Sequence, residues 1–256
     1  MSALPLGGRR IVVTRTRDRA EGLVDKLHAL GASVEVVPLI TTVPIATPDE
    51  IRATAGALHE ASGARWVVFT SVTAVRLVTN VLEAGTLDGA SIAAVGPGTE
   101  RALRGAQLSV ALVPDRPEAE GLARTMVDRG VQGATVWLPA AEAASPVIAD
   151  RLASAGADVR VQVLYRTEMP LEAPRRLRRA LDRGAGAITL TSGSTARNLI
   201  AALGGLELPS GVHVVCIGGQ TAAAAAEAGL RIDAIAQAPS ADGLAEALTS
   251  LFAAVP

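Results

Sequence analysis

A single cysteine in 256 residues excludes an intrachain disulfide. Cys216 lies in the apolar run VHVVCIG, where a small buried hydrophobe is the expected role. His28, His59 and His213 have no ligand spacing to one another or to that thiol, so no metal site is expected. Lysine is equally scarce. Lys26 stands alone in the helical pattern GLVDKLHAL, which leaves Schiff-base and P-loop chemistry without a candidate. An excess of either charge is missing too: 24 basic and 25 acidic residues are scattered through the chain, with none of the basic stripe that a nucleic-acid or membrane-surface partner requires. No uninterrupted apolar run reaches about 18 residues, and MSALPLGGRR has no apolar signal core, so a soluble cytoplasmic protein is expected. Aromatics make up 2%, including one tyrosine, Tyr165; the core must therefore come from Val, Leu, Ile and close Ala packing.

What is present is an alternation of short apolar strands with amphipathic helices, over a length that favours two lobes above one. Strands are expected at Arg10–Thr14, Ser33–Ile40, Trp66–Thr70, Ser91–Val95, Val110–Val113, Thr135–Leu138, Asp158–Tyr165, Ala187–Thr191, Val212–Ile217 and Ile232–Ala236. Helical spacing covers Ala20–Leu30, Val72–Ala84, Thr99–Gly105, Ala119–Arg129, Ile148–Ala155, a stretch after Ser194, Thr221–Ala228 and Asp242–Phe252. This order indicates α/β architecture with parallel sheets covered on both faces.

The order also repeats. VVFTS ending at Ser71 matches ITLTS ending at Ser192; AVGPGTERAL with Gly96 matches CIGGQTAAAA with Gly218; EGLARTM with Gly121 matches DGLAEAL with Gly243. The intervals are 25 and 25 residues in one copy and 26 and 25 in the other. A shorter unit, DKLHALGASVEVVPLI with Gly31, matches DRLASAGADVRVQVLY with Gly156. A short unit of two strands and a long unit of three make one five-stranded doubly wound domain. The repeats alone leave open whether neighbouring units pair in tandem or the outer units enclose the middle two.

Ligands of parallel sheets bind beyond the carboxyl ends of the strands, where helix N-termini present free N–H groups. Thr70-Ser71, Gly96-Pro97-Gly98-Thr99, Thr191-Ser192-Gly193-Ser194-Thr195 and Gly218-Gly219-Gln220-Thr221 each follow a strand and open a helix, and Arg15 follows the first strand in the same way. Taken singly, each hydroxyl reads as an N-cap worth about 0.5 to 2 kcal/mol, and each glycine as turn geometry. Together they form a rim suited to a ligand bearing several carboxylates or phosphates. A dinucleotide fingerprint is not among them, because Arg101 stands where a third glycine should. Tyr165, at the end of an apolar run and followed by Arg166, Thr167 and Pro170, is the candidate for chemistry; a packed interfacial ring is its plainer reading.

In order and spacing, IVVTR, the PLI near Pro38, WVVFTS, AVGPGT, the VP at 113 and 114, the GL at 121 and 122, VLYRT, LTSGSTARN, CIGGQTAAAA and PSADGLAEAL resemble the uroporphyrinogen-III synthase family over nearly the whole chain. Two departures are local: Thr73 stands where an Asn often follows, and Gly219-Gln220 replaces a more usual Pro-containing pair. The resemblance implies two doubly wound, flavodoxin-like α/β domains joined by a two-stranded hinge. Residues 1–37 plus 171–256 would form one domain, 38–44 and 162–170 the extended hinge, and 45–161 the inserted domain, with Tyr165 on the hinge. It further implies a cofactor-free lyase that cyclises hydroxymethylbilane to uroporphyrinogen III with loss of water and inversion of the last ring; the balanced charge and the lack of an obvious exposed apolar stripe lead to the expectation of a monomer. By the same resemblance Tyr165 is the proton donor. Arg15, Thr70, Ser71, Gly96, Pro97, Gly98, Thr99, Ser192, Gly193, Ser194, Gly218 and Thr221 are candidates to grip the substrate carboxylates. The rival expectation is a non-catalytic two-lobed protein that binds a tetrapyrrole or another polyanion.

Overall fold

A computed structural model describes residues 4–254. The strands are β1 (Arg10–Val13), β2 (Ser33–Val36), β3 (Thr41–Pro44), β4 (Arg65–Phe69), β5 (Ser91–Ala94), β6 (Thr135–Ala141), β7 (Asp158–Glu168), β8 (Ala187–Leu190), β9 (His213–Cys216) and β10 (Ala234–Ile235). The helices are α1 (Arg17–Ala29), α2 (Pro48–His59), α3 (Val72–Thr79), α4 (Pro97–Gly105), α5 (Ala119–Asp128), α6 (Val147–Ser154), α7 (Ala173–Asp182), α8 (Gly193–Leu203), α9 (Gly219–Glu227) and α10 (Ala241–Ala254). They fall into two compact units, Met1–Thr41 with Glu168–Pro256, and Thr42–Thr167.

In the first unit the sheet order is β10-β9-β8-β1-β2, and every pair is parallel. Starting from β2 this is the doubly wound order 2-1-3-4-5. The central strand shows why β-branched runs form it. Ile11 and Val13 point into the core under α1 and α10, Val12 into the opposite core under α7, α8 and α9, and none of the three is exposed. The return from α1 needs a left-handed residue, and Gly31 supplies it at φ 91°. Gly156, its partner in the repeat, makes the same turn at φ 87°.

The second unit has the order β3-β7-β6-β4-β5, and β7, β6, β4 and β5 run parallel. Its faces are again both buried: α2, α3 and α4 cover Val67, Phe69 and Trp137, while α5 and α6 cover Val68, Val136 and Leu138. The strand expected at Val110–Val113 shrinks to one bridge, Ala93↔Leu112. Ala111 N–H donates to Ile92 O and Leu112 O accepts from Ala94, and Pro114 then removes the next donor. The helix expected to reach Ala84 stops at Thr79: the Thr79 hydroxyl takes Val75 O, and Val81 N–H bonds Val78 O in a tightened last turn. The strand expected to end at Leu138 continues through Pro139 to Ala141. Pairing with β4 ends at Trp137, so beyond it β6 has β7 alone as its ladder partner and tolerates the ring.

Candidate active site

Tyr165 reaches its place through an irregularity in β7. From Thr135↔Asp158 to Ala140↔Val163 the register with β6 is continuous; it then jumps to Ala141↔Tyr165, leaving Leu164 as an extra residue. In a regular strand, Tyr165 would share a face with Val161 and Val163, which are exposed. The bulge re-aims it, so that consecutive residues Leu164 and Tyr165 enter the same core beside Phe69 and Trp137. The extra residue's carbonyl is not left bare, since Ile45 and Ala46 both donate to Leu164 O.

Tyr165 is 7% exposed, and its hydroxyl lies 2.9 Å from Ser71 Oγ. Ser71 is the N-cap of α3, with extended backbone (φ −152°, ψ 149°), and its Oγ accepts the Ala74 N–H at 3.0 Å. A phenol and a helix cap 94 residues apart in sequence are thus one hydrogen-bonded pair at the carboxyl end of the sheet. Thr70 precedes the cap. On the neighbouring strand end, Gly96 is the N-cap of α4, followed by Pro97, Gly98 and a buried Thr99. A side chain at Gly96 would run into Pro117 Cβ at 2.8 Å, which fixes the residue type there.

The corresponding edge of the first unit carries the remaining candidates. Thr14, fully buried at the end of β1, donates from Oγ1 to Thr189 O at 2.6 Å, and Arg15 follows it, half buried. Burial, then the neighbouring Arg19, hold the Arg15 guanidinium below its usual value, with Asp18 pulling the other way; it remains a cation at neutral pH. Ser192 caps α8. Its Oγ accepts Thr195 N–H at 3.2 Å while Thr195 Oγ1 accepts Ser192 N–H at 3.1 Å, a closed capping box. Gly193 and Ser194 open the helix, and Gly218 and the buried Thr221 do so for α9. Because β1, β8 and β9 are parallel, Arg15, Ser192 and Gly218 line one edge.

Two roles escaped the sequence reading, which placed Thr195 in a helix-opening motif without its part in the cap. Thr195 completes the capping box, and the spacing S-x-x-T could have pointed to it. Gln162 Oε1, on Tyr165's own strand, accepts the indole N–H of Trp137 on β6 at 3.1 Å, and nothing local in the sequence announces that pair. Among the described residues, no cluster of His, Cys, Asp or Glu could hold a metal ion, and no helix is long and apolar enough to cross a membrane.

The sequence profile of the family described as uroporphyrinogen-III synthase HemD matches residues 21–246. The chain belongs to the uroporphyrinogen-III synthase family. Among its relatives, the porphyrin biosynthesis protein HemD of Ruminiclostridium josui is 30% identical over 89% of this chain, although the chain spans only 45% of that protein's length. The uroporphyrinogen-III synthase of Chlorobaculum parvum is 28% identical over 94% of this chain and 99% of its own. In fold, a mutant synthase of Thermus thermophilus matches 96% of this chain and 99% of its own with TM-score 0.65 at 22% identity. The synthetase of Helicobacter pylori matches 95% and 99% with TM-score 0.63 at 18% identity.

Proposed function

We propose that the protein is a uroporphyrinogen-III synthase that cyclises hydroxymethylbilane with loss of water and inversion of the last pyrrole ring, and that Tyr165 is its proton donor. Family membership carries the overall reaction. The residue-level reading rests on one observation, the Tyr165 hydroxyl held 2.9 Å from Ser71 Oγ at a strand carboxyl end.

The chemistry suits so sparse a set of groups. Tyr165 gives its proton to the hydroxymethyl oxygen, the C–O bond breaks, and water leaves. The pyrrole system takes up the resulting positive charge and is both electrophile and nucleophile. Attack from the substituted carbon of the last ring gives a spiro intermediate, and rearrangement with proton loss gives the inverted product; no redox partner or protein nucleophile is required. Because the unassisted reaction closes without inversion, the protein's main task is orientation. Eight carboxylate arms suit the N–H or hydroxyl groups that each unit offers at its own strand ends: in the second unit Thr70, the Ser71 N–H, Gly96, Gly98 and Thr99, with Pro97 shaping the turn, and in the first unit Ser192–Ser194, Gly218 and Thr221, with Arg15 as a cation on that edge. In the same reading, residues 38–44 and 162–170, through which the chain passes from one unit to the other, serve as the hinge, and the enzyme is a cytoplasmic monomer.

Freshly generated hydroxymethylbilane, given to the purified protein without additives beside a no-protein control, should yield predominantly the type III isomer. Type I alone, at the unassisted rate, would overturn the enzymatic reading in favour of a non-catalytic tetrapyrrole- or polyanion-binding protein.

A further inference from the structure

Ser71 is placed to act on the phenol, beyond capping a helix. Its oxygen already accepts the Ala74 N–H at 3.0 Å, and its one proton has a single acceptor among the described residues, the Tyr165 oxygen at 2.9 Å. Two directions are possible for that bond. If Tyr165 donated, Ser71 Oγ would accept twice and its own proton would be left to solvent, so in either direction one of the two protons has no acceptor among the described residues, and what separates them is the chain of bonds that results. If Ser71 donates, the groups form a head-to-tail chain, Ala74 N–H to Ser71 O–H to Tyr165 oxygen, in which each bond polarises the next. The chain starts at the N-terminus of α3, the end of the helix that favours negative charge beyond it. It ends on the Tyr165 proton, for which the described residues offer no acceptor.

We propose that Ser71 is a positioning residue: its hydroxyl donates to Tyr165 Oη, turns the phenol's own proton outward to the substrate, and strengthens its bond as that proton leaves. This rests on the reading of Tyr165 as proton donor, and it gives Ser71 a role different from gripping a carboxylate. The bulge at Leu164 is what makes it possible, since it turns Tyr165 to the Phe69 side of the sheet from which Ser71 emerges.

Tyr165 is the chain's only tyrosine, so the tyrosine Fermi doublet in a Raman spectrum reports this one hydroxyl, in the intact protein and without substrate. The proposal expects a doublet ratio typical of an accepting phenol, which Ser71→Gly and Ser71→Ala shift and Ser71→Thr restores. Ser71→Gly keeps the helix start within a few tenths of a kcal/mol, so a folded variant without the hydroxyl is available. In steady state, Ser71→Gly should lower kcat about tenfold with KM little changed, and combined with Tyr165→Phe it should lose no more than Tyr165→Phe alone. A doublet unchanged by Ser71→Gly, or a donor-type ratio in the parent protein, overturns the proposal; so does a rise in KM at constant kcat, which would mark Ser71 as a carboxylate contact. Should the parent form only type I isomer, the synthase reading fails, while the spectrum still decides whether Ser71 holds the phenol.

Discussion

Ser71 and Ser192 occupy the same position in two copies of one repeat, both follow a strand, and both cap a helix, yet their hydroxyls have different fates. In the first unit the residue three positions on is Thr195, which folds back and closes the cap upon itself. In the second unit that position is Ala74, which offers only its N–H, and the Ser71 hydroxyl is left to meet Tyr165. The partner is equally unequal. The short repeats align Ile40 with Tyr165, so the first unit has no phenol to present. Even the preceding carbonyl differs: Leu39 O is taken by the Asn198 amide at 2.7 Å, Leu164 O by the backbone of Ile45 and Ala46. The two copies are similar scaffolds, and a few side chains close the Ser192 cap upon itself while the Ser71 hydroxyl meets a phenol.

The comparison breaks most violently at the glycines that both copies share. A side chain at Gly243 would meet Ala238 O and one at Gly121 would meet Arg116 O, each the carbonyl five residues back. Ala at either position should cost about 3 kcal/mol or more by forced backbone displacement, read as a fall in the urea midpoint; unchanged midpoints would show that the two returns are not the tight packing described. The next pair should separate the copies. Gly96→Ala meets Pro117 and should cost about 1 to 3 kcal/mol, whereas Gly218→Ala enters open space in extended backbone and should be close to neutral. Equal costs would contradict that asymmetry.

Removing the caps should show likeness in stability and difference in chemistry. Ser71→Ala and Ser192→Ala should each lose about 1 kcal/mol, but only the former should disturb the Tyr165 Raman doublet. A further contrast, of about the same size at neutral pH, falls at Cys216, whose counterpart in the other copy is Ala94. Burial pushes its thiol up to about 11. Since the folded state resists ionisation, its contribution is intact below the ordinary thiol value near pH 8.5 and is lost as pH rises from there towards about 11. The folded protein should accordingly resist a thiol reagent at pH 8 and react promptly once denatured; Cys216→Ala should flatten that alkaline loss at a cost of about 1 kcal/mol.

The fold was legible because its signals are local and periodic: β-branched runs such as Ile11–Val13, helix returns at Gly31 and Gly156, and motifs repeated at constant intervals. The errors fell where tertiary pairing overrides local preference, as at Val110–Val113, which has the composition of a strand but only one bridge, and at Pro139, which sits inside a strand after one neighbour has ended. At the site, the helix-opening motifs could be read, since parallel strands place every carboxyl end on one edge. What period-two reasoning could not see is the bulge at Leu164, because alternation puts Tyr165 on the exposed face with Val161 and Val163. Nor could it see a contact between residues 94 apart.

The most direct test of the phenol's role is the rate of type III formation by Tyr165→Phe against the parent protein, followed across the pH range with fresh hydroxymethylbilane. The loss of a positioned proton donor should slow it about a hundredfold without abolishing it, because an oriented substrate can still take a proton from water. Full turnover at every pH would contradict the account.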